Sequence, residues 1–200
     1  MSKVLIHVGL PKTGTTFLQL EVFPKIEKQG VKVISDEGLS GDYFQKNSYS
    51  IVYNRYDVIK KLKELYPDAY INIGIREIEP WLKSLYSQYI KEGGFYKYKK
   101  WLREVLNPEC LDTQSYLKFI QQHFDKVFIY KFDNFIKNKK SIIDNLCDFL
   151  EIEHIKFKDK RYNTKWCKES IRLSRFLNRN GWLFKRRNWF DCLNKRRYKT

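Results

Sequence analysis

The chain has 200 residues, 42% hydrophobic and 16% aromatic, which is enough for a sizeable core and about the length of one domain. Its 39 Lys and Arg against 23 Asp and Glu leave a net charge of +16, which draws anions without choosing among nucleic acid, glycans, acidic lipid and phosphorylated small molecules. The composition excludes the low-complexity and acidic disordered classes, and no apolar run approaches the roughly 18 residues of a membrane span.

Lys3 to Leu10 reads as a first strand, running through Gly9 into a glycine-containing turn. Thr15 to Gln29 reads as a helix with Phe17, Leu18 and Val22 as apolar positions. A second strand spans Val31 to Ile34 and ends in Ser35-Asp36-Glu37-Gly38. A helix over Asp57 to Tyr66 is closed by Pro67, and Tyr70 to Ile75 is a third strand. Pro80 suits the first turn of the next helix, over 79–91. Phe95 to Arg103 interleaves rings with cations, as either an acceptor-binding lid or an amphipathic helix with a solvated basic side. Helix 112–124, strand Val127 to Tyr130, helix 139–150 and a helix over 167–179 complete the pattern.

Strands alternating with helices predict one α/β domain over residues 1–200, built on a mainly parallel sheet covered on both faces. A basic extension starts at about residue 181. From Arg172 to Thr200 there are ten basic residues and one acidic residue, Asp191. In the last helix Arg172, Arg175 and Arg179 share one face, while Leu173, Phe176 and Leu177 share another. The expectation is a core-covering helix with a basic exterior, with contact between this basic C-terminus and a membrane surface as the alternative use.

Cys110, Cys147, Cys167 and Cys192 are spread widely and form no C-x-x-C pair, and the histidines are His7, His123 and His154. That pattern predicts neither a metal site nor a disulfide framework. The N-terminus enters an apolar run at once, leaving no room for a secretory leader, so a cytoplasmic location is expected.

The first strand–helix junction carries the strongest chemical signal. In Gly9-Leu10-Pro11-Lys12-Thr13-Gly14-Thr15-Thr16, the glycines let backbone N–H groups converge on one point, and Thr15 and Thr16 open a helix whose dipole favours an anion. The glycine spacing is that of an ATP-type phosphate loop, but Thr15 follows Gly14 where a lysine would stand, and the lysine, Lys12, lies two residues before Gly14. This speaks against an ordinary ATP or GTP site. A second candidate anion anchor is Arg76 at the end of the third strand with Ser84 eight residues on, a guanidinium fork and a hydroxyl able to share one phosphate.

The segment GLPKTGTTFLQ resembles the 5′-phosphosulfate loop of sulfotransferases that use 3′-phosphoadenosine 5′-phosphosulfate (PAPS), and Arg76 with Ser84 resembles that family's 3′-phosphate anchor. The later DKVFIYKFDNFIKNKKSIIDNLCDFLEI also fits, so the likeness spans roughly residues 3–180. It implies a P-loop-like three-layer α/β/α sandwich and metal-free transfer of a sulfuryl group to a hydroxyl or amine, the acceptor being a saccharide or glycoconjugate. Pro11, Lys12, Thr13, Gly14, Thr15, Thr16, Arg76 and Ser84 would bind PAPS, with further basic contacts from Arg161 and Lys165. Lys12 would stabilise the leaving phosphate. The base would be Glu37, in ISDEGLSG, with Asp36 and His7 as alternatives. No nucleic-acid partner is expected. Two other readings remain at this point: a phosphotransferase with a degenerate loop, and a non-catalytic binder of polyanions driven by charge.

Overall fold

In a computed structural model the described residues are 3–44, 54–160, 162 and 166–180. The chain divides into two compact units, one of residues 1–77 and 107–160, the other of 78–106 and 161–200.

The first unit holds a four-stranded parallel sheet in the order β2-β1-β3-β4, formed by β1 Val4–Val8, β2 Lys32–Asp36, β3 Tyr70–Ile75 and β4 Val127–Lys131. The central strands are nearly unbroken apolar runs, because both of their faces are covered. Leu5, Ile6, Val8, Ile71 and Ile73 are buried there. The helices form the outer layers of this α/β three-layer fold. By the right-handed rule for crossovers between parallel strands, this strand order puts the helical run after β1 on one face and α3 (Arg55–Leu65) with α6 (Thr113–His123) on the other. After β4, the short α7 (Phe132–Lys137) and α8 (Lys139–Leu150) return to the first face, where Phe149 packs on Tyr70 and Phe128.

The helix expected over Thr15 to Gln29 is not uniform. It runs as α1 Thr15–Phe17, a π-helical stretch Leu18–Val22 and α2 Phe23–Glu27. Pro24 lacks the N–H that the preceding α-turn needs, and Phe23 donates instead to Leu18 O, five residues back. The strand expected over Val31 to Ile34 sits later, at Lys32–Asp36, in register with all of β1. Helix α7 follows β4 directly, with Asp133 in its first turn.

The second unit comprises α4 (Ile78–Lys91), α5 (Tyr98–Glu104) and α9 (Lys168–Arg179). Of the two readings of Phe95 to Arg103, the amphipathic helix is the one adopted: Trp101 is fully buried against Tyr86, Tyr89 and Tyr98, while Lys97, Lys99, Lys100 and Arg103 face solvent. Helix α9 corrects its expectation. Its buried position is Ser174, and Leu173 and Phe176 are exposed. The packed side is polar because Asn178 donates to the carbonyls of Ile90 and Gly94 at the end of α4, and Arg175 donates to the Tyr86 hydroxyl. The basic extension from about residue 181 lies outside the described residues.

Candidate active site

The loop from Gly9 to Thr16 leaves the carboxyl end of β1, a central strand, which is where ligands bind in open parallel sheets. Its carbonyls are drawn away from its N–H groups by partners on three sides. Thr13 Oγ1 donates to Leu10 O at 2.6 Å, and the Tyr130 hydroxyl donates to Thr13 O at 3.1 Å. Arg76 Nη1 donates to Lys12 O at 3.0 Å, and the N–H groups of Phe17 and Leu18 take Gly14 O. Among the described residues nothing accepts from the N–H of Thr13, Gly14 or Thr15, and no side chain caps the helix that Thr15 begins. A run of outward N–H groups ahead of a helix is an anion cradle.

Two residues hold positive φ in this loop. Gly14, at φ 99°, needs to be glycine twice over, since a Cβ there would meet the Phe135 ring at 2.9 Å. Lys12, at φ 67°, adopts a left-handed conformation that costs a side-chain-bearing residue about 1 kcal/mol. Pro11 and Thr13 are buried, while Lys12 and Thr16 are partly exposed, and Thr15 is buried with its hydroxyl unpartnered.

Arg76 follows β3 and reaches the loop at Lys12 O, a contact the sequence did not suggest. It is half-buried, lies over the Phe132 ring at 4.5 Å, and keeps its buried Nε without a partner. Burial pulls its pKa below the ordinary range and nearby Asp133 opposes that shift, but a guanidinium stays charged at any working pH. Ser84 lies in the middle of α4, half-buried, in the second unit. Arg161 and Lys165 lie outside the described residues.

Glu37 is exposed and begins a 3-10 turn, Glu37–Ser40, at the end of β2. That turn is tied to the loop, because Ser40 Oγ donates to Gly9 O at 3.1 Å as well as to Glu37 O at 2.7 Å. The neighbouring Asp36 carboxylate is taken up by the N–H of Gly38 at 2.7 Å. His7 has no exposed surface. Its Nδ1 lies 2.9 Å from Ser35 Oγ, and burial lowers its pKa to about 3. His7 is therefore sealed from any acceptor and belongs to the packing beneath the loop, where a Cβ on Gly9 would lie 3.0 Å from its Cε1.

Sequence reasoning missed Tyr130, which anchors the loop from β4, and Gly74 on β3, which makes room for it. Tyr130 is fully buried beside Phe135, and its ring crosses over Gly74, where a Cβ would sit 2.5 Å from Cζ and Oη. An isolated glycine inside a strand pattern was the available signal of that close approach. Among the described residues no cluster of His, Cys, Asp and Glu could hold a metal ion, and no helix is long and apolar enough to cross a membrane.

The fold is similar to that of a crystal structure of a sulfotransferase from Alicyclobacillus acidocaldarius. The TM-score is 0.59 at 13% identity, with 82% of this chain and 87% of that one covered. At that identity the likeness establishes the fold: this chain has the α/β architecture of a sulfotransferase. No family model and no curated protein matches the sequence.

Proposed function

We propose that the protein is a PAPS-dependent sulfotransferase whose acceptor is a saccharide or glycoconjugate hydroxyl or amine. The observation that carries the reading is Arg76 Nη1 on Lys12 O, because it joins a strand-end guanidinium to the phosphate cradle. A donor with two separated anionic groups needs two cationic sites close together. The residues fit such a donor: the N–H groups of Thr13, Gly14 and Thr15 lack acceptors, and Thr15 Oγ1 and Arg76 Nε are buried without partners. When bound, PAPS supplies a sulfuryl group whose transfer to the acceptor leaves adenosine 3′,5′-bisphosphate (PAP).

We assign the roles as follows. Lys12 to Thr16 hold the 5′-phosphate by backbone N–H groups and by the Thr15 and Thr16 hydroxyls, and Pro11, which has no N–H, lines the turn. Lys12 balances the charge that grows there as the sulfuryl group departs. Arg76 takes the 3′-phosphate, and Ser84, Arg161 and Lys165 are the further candidates for it that the sequence offers. Glu37, exposed on a turn bonded to Gly9, takes the proton from the acceptor.

The deciding experiment is a thermal shift with PAP, ADP, ATP and AMP, each with and without magnesium. PAP alone raises the melting temperature, independently of metal, because it alone fills both anion sites. An equal rise with ADP refutes the 3′-phosphate site. A rise with ATP that requires magnesium makes the protein a phosphotransferase.

A further inference from the structure

Helix α9 turns its Ser174, Arg175 and Asn178 side toward α4, which leaves Lys168, Glu169, Arg172, Leu173, Phe176 and Arg179 facing solvent. Phe176 is 64% exposed and Leu173 45%. With successive residues about 100° apart around a helix, Phe176 lies at the centre of this face. Leu173 is on one flank, and Arg172, Arg179 and Lys168 are on the other. Glu169 is the one acidic residue among the six.

Charge is distributed as unevenly as the apolar surface. The segments 78–106 and 161–200 carry 19 of the 39 Lys and Arg but 5 of the 23 Asp and Glu. The remaining segments, which include the phosphate loop, carry 20 against 18 and are close to neutral. The chain's positive excess lies in the unit that presents α9.

A partner for this face must answer both features. A soluble polyanion would pair with the cations and leave Leu173 and Phe176 in water. An apolar protein surface would cover the two side chains and strand the cations. An anionic bilayer satisfies both, since rings and aliphatic chains enter the headgroup boundary while Lys and Arg meet lipid phosphates. We propose that α9 is a lipid-docking helix: Leu173 and Phe176, bordered by Lys168, Arg172 and Arg179, seat the protein on an anionic membrane surface.

The test is flotation of the full chain with vesicles of phosphatidylcholine alone or of phosphatidylcholine and phosphatidylglycerol in equal parts. Binding is expected to the mixed vesicles only, and to weaken more than about tenfold between about 0.1 M and about 0.5 M salt. Leu173→Ser with Phe176→Ser should weaken it by on the order of tenfold or more at unchanged melting temperature, because both side chains are already exposed. Arg172→Glu with Arg179→Glu should abolish it. No binding to the mixed vesicles, or serine variants that bind as well as the native chain, overturns the proposal. So does binding to heparin or single-stranded RNA that matches vesicle binding and is untouched by the serine substitutions.

Discussion

His7 gives the molecule a measurable acid sensitivity. It is fully buried under the phosphate loop, and burial lowers its pKa from 6.5 to about 3. In the unfolded chain it titrates near 6.5. Between those values the unfolded state binds a proton that the folded state refuses, so stability rises with pH across this window. The contribution is fully present above pH 6.5 and is lost as pH falls toward 3. A shift of that size amounts to about 5 kcal/mol over the whole range, and to about 2 kcal/mol by pH 5. The assay is denaturant unfolding of the native chain and of His7→Asn, each at pH 7 and pH 5. Asn keeps a polar atom near the place of Nδ1, facing Ser35 Oγ, and does not titrate in this range. Its packing defect is the same at both pH values and cancels in the comparison. The native chain should lose about 2 kcal/mol more than the variant on going to pH 5. Equal losses would mean that His7 takes up its proton without unfolding, and that the seal beneath the loop is not as closed as the structure has it.

The loop and its props give three further tests. Lys12→Gly removes a left-handed lysine, so stability should change by less than about 1 kcal/mol, relief of strain offsetting the added freedom of the unfolded chain. Sulfuryl transfer should nevertheless fall by about 10²- to 10³-fold, and a fall no larger than that for an exposed lysine would remove Lys12 from the site. Gly74→Ala drives a methyl into the Tyr130 ring and should cost about 1–3 kcal/mol in urea unfolding while weakening PAP binding, since Tyr130 holds Thr13 O. Tyr130→Phe should be less than additive with it, and full additivity would separate the two residues. Glu37→Gln should bind PAP normally and lose about 10²- to 10⁴-fold in turnover, and a fully active variant would exclude Glu37 as the base.

The parallel sheet was legible because β1 and β3 are buried on both faces, which writes them as apolar runs broken by few polar residues. The turn between β1 and the first helix was legible for a local reason too, since Gly14 supplies the positive φ it needs, whereas Lys12 takes its left-handed φ against local preference. What lay beyond the sequence came from partners far along the chain. Pro24 turned a predicted helix into one with a π-helical stretch, because a missing N–H acts only once a helix is already there. In α9 the periodicity showed an arginine face and an apolar face, but the packed side is neither: Ser174, Arg175 and Asn178 turn to α4, where Asn178 holds the carbonyls of Ile90 and Gly94. The loop itself combines both situations. Its residue types are local, yet Lys12 keeps its left-handed conformation between two carbonyl clamps, Arg76 on Lys12 O and Tyr130 on Thr13 O, which come from 64 and 117 residues away. A strained backbone persists only where its surroundings over-determine it. Here both clamps are set at the carboxyl ends of neighbouring parallel strands, so closing the sheet also shapes the cradle. Donor affinity should therefore depend on the β3–β4 pairing as directly as on any residue that touches the donor.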